Sequence, residues 1–258
     1  MFELAEAYER QRARSSKMLA PLFVEFVGPH GEVLDVGCGT GALTFAIAGK
    51  DSVSKITGVD PSEGFLTYAR SKTIDPRIQF EIGDAQNLGF ADASFDQCLA
   101  LLVMRFVPDA TKAVKEMRRV TRSGGLVATA MWDTTGGNEL NDSLFDAALM
   151  IDPNAPQEKN APGFYGTSEE LKSLWMTAGL EKIEVKNIAF RCGFDSFNDF
   201  WQPLTEGQGP NGAYLRSLAD DHRRALRDQL RQNVCGNRTD EPFKLNAKAW
   251  AVRGIVPR

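Results

Sequence analysis

The 258-residue chain has no excess of basic charge, no long apolar run, four cysteines and two histidines. Thirty lysines and arginines stand against 34 aspartates and glutamates, a net charge of -4, so no global attraction draws the chain to a phosphate backbone or an anionic lipid surface. Nucleic-acid binding would need a local basic patch. Arg118, Arg119 and Arg122 instead read as a helix end, where cations complement the dipole, and Arg223, Arg224, Arg227 and Arg231 are interspersed with acids. The longest plainly apolar stretch, Cys98 to Met104, is far shorter than the roughly 20 residues that cross a bilayer, so no membrane span is expected. Cys38, Cys98, Cys192 and Cys235 form no C-x-x-C pair, and with only His30 and His222 beside them neither a metal site nor a disulfide framework is expected. Met1-Phe2-Glu3-Leu4-Ala5-Glu6 lacks the basic, apolar, small-residue order of a signal peptide, which gives a cytoplasmic expectation. Composition is otherwise average, with 43% hydrophobic and 25% charged residues, which excludes collagen, coiled coil and disorder. The length suits a single elaborated domain over residues 1–258.

What is present is a rhythm of short apolar strands and amphipathic helices. Residues Phe2 to Val27 have helical periodicity. Val33 to Val36 then reads as a strand, Gly37-Cys38-Gly39-Thr40-Gly41 as a tight loop, and Leu43 to Ile47 as a helix packed on a sheet. Further strands are expected at Lys55 to Val59, Ile78 to Ile82, Phe95 to Val103 and Leu126 to Trp132, with Ser123-Gly124-Gly125 closing the helix before the last of these. Thr167-Ser168-Glu169-Glu170 has capping-box spacing for a helix ending at Gly179. Strand-like Ile183 to Phe190 and Phe243 to Val256 complete seven strands. The fold expected is a doubly wound α/β fold with a mainly parallel seven-stranded sheet and an N-terminal helix. Residues 30–132 form its ligand-binding core, and 134–166 with 194–240 form a helical cap insertion.

In an open parallel sheet, ligands bind outside the C-terminal strand ends. Gly37, Gly39 and Gly41 occupy that position, where a Cβ would block both the turn and the ligand's approach to backbone N–H groups. Gly37, Gly39 and Ala42 also satisfy the dinucleotide pattern G-x-G-x-x-G/A, so a nicotinamide cofactor is a competing reading. Charge separates the two. Asp35, Asp60 and Asp84 end or follow the first three strands, and three carboxylates would repel a pyrophosphate. A sulfonium, an ammonium group, a ribose diol and an adenine amine would find acceptors there, which points to S-adenosylmethionine.

Through Val33-Leu34-Asp35-Val36-Gly37-Cys38-Gly39-Thr40-Gly41, Gly58-Val59-Asp60-Pro61-Ser62 and Gly83-Asp84-Ala85, the chain resembles the class I S-adenosylmethionine-dependent methyltransferases. Ser94-Phe95-Asp96, Phe106-Val107-Pro108-Asp109 and Glu116 to Val120 extend the likeness toward the small-molecule branch that includes quinone-pathway enzymes. The resemblance implies a Rossmann-like methyltransferase fold. It assigns Asp35, Gly37, Cys38, Gly39 and Gly41 to the methionine end of the cofactor and Asp60 to the ribose hydroxyls. Pro61 and Ser62 fall to one side of adenosine, and Asp84 with Ala85 to adenine. Leu101 and Leu102 would line the junction of cofactor and acceptor, and Tyr8 and Arg14 would belong to an N-terminal segment that closes over the cofactor. Arg105 departs from the pattern, since related sequences commonly have His there.

No catalytic base is identified. Family enzymes that modify exocyclic amines carry an Asn/Asp-Pro-Pro-aromatic motif where this chain has Ala100-Leu101-Leu102-Val103, which favours another small, apolar or aromatic acceptor. The function expected is methyl transfer to such a small molecule by in-line displacement, with a noncatalytic S-adenosylmethionine-binding regulatory protein as the alternative. Other assignments stay open. Tyr8 and Arg14 also suit a solvated amphipathic helix, and Trp132 a core or rim aromatic. Phe194, Phe197, Phe200 and Trp201 suit the cap's own core. Cys38 at a helix start reads either as a reactive thiol or as a small filler, and His222 reads as the polar start of a surface helix.

Overall fold

Val33, Leu34 and Val36 are fully buried because their strand lies in the interior of a sheet covered on both faces, which is what a near-continuous apolar run demands. The computed structural model describes residues 13–155, 164–206, 210–236 and 241–258. The first half of the chain runs α1 (Ala13–Val27), β1 (Gly31–Val36), α2 (Ala42–Ala48), β2 (Val53–Asp60), α3 (Glu63–Arg70), β3 (Ile78–Ile82), β4 (Phe95–Leu101), α4 (Ala110–Val120) and β5 (Thr121–Trp132). The second half runs α5 (Glu139–Ile151), α6 (Ser168–Thr177), β6 (Glu181–Phe194), α7 (Phe197–Glu206), α8 (Pro210–Ser217), α9 (Asp220–Cys235) and β7 (Phe243–Ile255).

The strands form one sheet in the order β3-β2-β1-β4-β5-β7-β6. The first five pair in parallel, and β7 runs antiparallel between β5 and β6. This is the doubly wound, mainly parallel sheet expected. Strand order reverses between β1 and β4, so a crevice opens at their C-terminal ends. Leu19 and Phe23 of α1 pack with Ile47 of α2 on one face of the sheet. Met117 of α4 and Trp175 of α6 pack on the other. The indole of Trp175 is wholly buried and donates through Nε1 to the Val127 carbonyl at 3.0 Å, so the polar atom that burial would otherwise orphan is satisfied.

Three of the boundaries that differ from the sequence reading have a plain physical reason. Strand β5 starts at Thr121, so Ser123-Gly124-Gly125 lies inside the strand instead of ending a helix. Gly124 N–H donates to the Val256 carbonyl and Val256 N–H to the Gly125 carbonyl, both at 2.9 Å, and a Cβ on Gly125 would sit 2.5 Å from the Asp96 carbonyl oxygen. These glycines therefore serve strand contact. Strand β4 stops at Leu101, and the expected strand residues Leu102 and Val103 lead instead into a 3-10 turn over Met104–Phe106. Strand β6 continues to Phe194 because β7 supplies partners all the way to Phe243.

The arginine cluster differs from the sequence reading at Arg122. Arg119 bonds Glu116, Asp92 and the carbonyls of Leu88 and Phe90, while Arg122 lies in β5 and joins Glu32 and Asp96. Arg118 and Arg119 thus lie in the last turn of α4, where cations complement the helix dipole, and Arg122 alone falls outside the helix.

Strand β7 meets β5 only as far as Ala249 opposite Trp132, so residues 243–248 and their β6 partners project past the end of β5. Helices α5, α7, α8 and α9 gather on that projection around Leu144, Phe194, Phe197, Phe200, Trp201 and Leu230. The aromatic run is thus the core of this helical group, with Phe194 stacked on Phe243 at 5.4 Å and Phe197 on Trp201 at 6.3 Å.

Candidate functional site

The crevice begins where β1 turns into the glycine loop. Gly37 has φ +69°, and a Cβ there would lie 2.5 Å from the Val103 side chain, so glycine is required by both backbone and neighbour. Gly39, at φ +54°, differs: nothing stands within 4 Å of where its Cβ would be, which leaves an open cradle on the loop. The Gly37 and Cys38 amides both donate to the Val59 carbonyl, at 2.8 and 3.0 Å, pinning the loop against the end of β2.

Asp35 sits one residue before the end of β1 and is 1% exposed. Its Oδ2 accepts the Thr44 hydroxyl at 2.6 Å, and its buried Oδ1 has no hydrogen-bond partner. Burial pushes its pKa up to about 7, the negative charge of Asp60 adds to the rise, and Thr44 opposes it. Such an orphaned carboxylate oxygen is costly unless a ligand donor or cation satisfies it. Thr44 was missed in the sequence reading, although a lone threonine within the apolar helix α2 was a signal for it.

Asp60 ends β2. Its Oδ2 accepts the Gly39 amide at 3.0 Å and its Oδ1 the Ser62 amide at 2.9 Å. Burial raises its pKa, and the two amides hold it back. Two carboxylate oxygens offer about four lone-pair sites, so two amides leave capacity for hydroxyl donors. Ser62 also caps α3 by accepting the Phe65 amide at 3.4 Å, and Pro61 beside it is exposed.

The three-carboxylate picture needs revision at Asp84. This residue is exposed, its Oδ1 accepts the Gln86 amide at 2.8 Å, and it forms an isolated bridge with Asn87. Asp35 and Asp60 are electrostatically coupled, whereas Asp84 lies on the rim and shapes its own turn. Ala85 next to it packs against the core beneath. Leu101 is the last residue of β4, and Leu102 follows at φ +62° with its amide bonded to the Ala130 carbonyl at 2.8 Å.

Two other expectations resolve clearly. Burial, reinforced by Asp35 and Asp60, pushes the Cys38 thiol pKa well up, so Cys38 is a small filler and not a reactive thiol. Arg14 is engaged away from the glycine loop: its guanidinium forms a two-pronged pair with Asp199 of α7 at 2.6 and 2.8 Å, bonds the Gly193 carbonyl at 3.2 Å and lies over Phe194. Tyr8 lies outside the described residues. Trp132 is half-buried, 6.3 Å from Phe190, in the packing on the α1 face. His222 stands exposed at the start of α9, where it borders a cavity of about 280 Å³ lined also by Ile151, Asp152, Tyr214, Leu218 and Leu226.

With this geometry established, the likenesses to known proteins are informative. Residues 34–129 match the methyltransferase domain family. The chain is 30% identical over 178 residues to the malonyl-[acyl-carrier protein] O-methyltransferase of Geobacter sulfurreducens, covering 68% of this chain and 64% of that protein. It is 43% identical over 98 residues to the demethylmenaquinone methyltransferase of Staphylococcus epidermidis, covering 37% of this chain and 41% of the relative. It therefore spans less than two thirds of either relative. Among solved structures, phosphoethanolamine N-methyltransferase 2 of Haemonchus contortus, bound to phosphomonomethylethanolamine and S-adenosylhomocysteine, superposes with a TM-score of 0.60 at 18% identity, covering 100% of this chain and 58% of that one. At that identity the likeness is one of fold.

Proposed function

We infer that this chain, which belongs through residues 34–129 to the methyltransferase domain family, transfers the methyl group of S-adenosylmethionine to a small organic acceptor. One observation carries the reading: a buried carboxylate with an unpartnered oxygen, Asp35, beside an open glycine cradle at Gly39. The residues fit a cationic nucleoside. Ionised Asp35 compensates the positive charges at the methionine end, and Gly37, Cys38, Gly39 and Gly41 let that end approach the backbone. Asp60 accepts the ribose hydroxyls with its remaining lone pairs. Pro61 and Ser62 flank adenosine on one side, with Ala85 and the rim carboxylate of Asp84 toward adenine.

When bound, S-adenosylmethionine supplies a methyl group already activated by its sulfonium. The chain's own task is then to align the acceptor with the breaking bond and to keep water out, for which Leu101 and Leu102 at the end of β4 are well placed. The helices around Phe197 and Phe200, standing on the projecting ends of β6 and β7, act as the substrate cap. Relatives with different acceptors share the same core, so the acceptor is set by these outer parts. A net charge of -4 supports a small-molecule partner over nucleic acid.

The test is calorimetric titration of the full chain with S-adenosylhomocysteine, with NADH in parallel. Micromolar binding of the first alone is the expected result. Binding of NADH instead would overturn the reading.

A further inference from the structure

We propose that the cavity between α5, α8 and α9 is a second binding site of this protein, one that takes a small organic ammonium with an apolar body. The inference is independent of the methyltransferase reading, because the residues that line the cavity belong to the cap and none to the glycine-loop crevice.

The cavity has a volume of about 280 Å³ and is walled by Ile151, Leu218 and Leu226 along with Asp152, Tyr214 and His222. Leu226 is 1% exposed, so the wall is anchored in the cap's own core. An apolar cavity of about 150 Å³ admits benzene, and the larger space here suits a ring or a short alkyl body with a polar arm.

The way α5 ends makes one side of the cavity negative. Asp152 follows the helix directly, and its amide closes the last helical bond, to the Ala148 carbonyl at 2.8 Å. The next three amides would serve the carbonyls of Leu149, Met150 and Ile151 if the helix went on. Pro153 has no N–H, the Asn154 amide donates to Asp152 Oδ1 at 2.9 Å, and the Ala155 amide donates to the Asp152 carbonyl at 3.0 Å. The end of α5 therefore keeps carbonyls without their helical donors, the negative pole of the helix dipole, beside two residues of the cavity lining. Asp152 adds a full charge there. One of its carboxylate oxygens is held by Asn154, and the other has no hydrogen-bond donor among the described residues. Burial, and after it the charge of Asp152, raises the Tyr214 phenol pKa, so carboxylate and phenol act on the same space. A carboxylate beside an aromatic ring is a pairing that attracts an ammonium group.

Helix α9 brings the opposing charge. Its N-terminus meets the cavity at His222 and by itself would favour an anion, but Asp220 and Asp221 occupy its first turn. The Asp221 carboxylate accepts the His222 amide at 2.9 Å and stands 3.7 Å from the imidazole Nδ1. Arg223 pairs with Asp220, and Arg227 lies over the Phe197 ring at 5.5 Å; neither lines the cavity.

The experiment titrates the full chain, with and without saturating S-adenosylhomocysteine, with benzylammonium and pentylammonium, the matching alcohols, and benzoate and hexanoate. At least one ammonium should bind about tenfold or more tightly than its alcohol, since a carboxylate, an aromatic ring and a helix end act on it together, and it should also outbind both acids. Asp152→Asn should cut that ratio about threefold or more, and Tyr214→Leu should do the same. Tyr214→Phe, which keeps the ring, should hold the ratio within about twofold of the parent, and S-adenosylhomocysteine affinity should stay within about twofold in all three variants. Hydrogen exchange should slow on ammonium binding at the end of α5, in α8 and at the start of α9. Failure of either ammonium to bind, equal binding of ammonium and alcohol, or a preference that survives Asp152→Asn would overturn the assignment. So would tighter binding of the acids, or slowing confined to the glycine loop. Failure of the parent to bind S-adenosylhomocysteine removes the cofactor reading alone, since the titration without it decides this site.

Discussion

Asp35 couples the charge of the crevice to pH. Its folded pKa of about 7 exceeds the value near 4 of an unfolded carboxylate, so between those values the folded chain holds the extra proton. The contribution of Asp35 to the stability of the free protein therefore falls as pH rises from about 4 to about 7 and is level above. A cationic cofactor favours the ionised form, so its affinity should rise as pH climbs through 7, with a proton released on binding below that point. Calorimetry in two buffers of different ionisation enthalpy measures that proton directly. A pH-independent affinity with no release from pH 5.5 to 8 would separate Asp35 from the cofactor. Asp60→Ala should weaken S-adenosylhomocysteine by roughly ten- to a hundredfold, the worth of charge-assisted hydrogen bonds at about 1.5–3 kcal/mol; an unchanged affinity would move the ribose site elsewhere. Asp35, Asp60 and the glycines were legible because strand, loop and acid lie within one short stretch of chain. Thr44 was legible in principle, whereas Asp199 as the partner of Arg14 was not, because 185 residues separate them and no local pattern records the pairing.

Among the elements, helix α1 and the cap are tied by that pairing. Both side chains are partly exposed, at 40% and 27%, so its contribution is screened, and the coupling energy should be about 0.5–1 kcal/mol. A double-mutant cycle with Arg14→Met and Asp199→Asn in urea would measure it, and the coupling should shrink at high salt. Additive effects of the two changes would show that the pair holds nothing together. Helix starts were the elements best read in advance. Thr167 and Glu170 form the reciprocal capping box, with the Thr167 hydroxyl accepting the Glu170 amide and the Glu170 carboxylate accepting the Thr167 amide, both at 3.1 Å. Thr167→Ala should accordingly cost about 1 kcal/mol in thermal or urea unfolding. The start of β5 and the end of β6 were misread for the opposite reason, although both ends of β3 stand as read. A cap is chemistry within four residues, while the start of β5 at Thr121 and the reach of β6 to Phe194 depend on partners that local sequence does not contain.

At the scale of the whole molecule, two bodies of packing share one sheet. The crevice residues sit on the β1–β2–β4 side, backed by α1 and α2, while the cap core around Phe194, Phe200 and Leu230 stands on β6 and β7. Among the described residues no helix is long and apolar enough to cross a membrane. Arg14 joins α1 to the cap through Asp199. A cofactor that touches only the glycine loop, Asp35 and Asp60 stabilises the folded state by mass action, about 2.7 kcal/mol at a hundred times its dissociation constant. Local opening of the cap need not share that gain. Hydrogen exchange with and without S-adenosylhomocysteine should therefore show strong slowing at residues 35–44 and 58–62 and little change in α7 and α9. Equal slowing in α7 and α9 would mean that the cap closes on the cofactor alone. In that case its order would not wait for the acceptor, and Arg14→Met should remove the cap's protection while leaving that of the glycine loop.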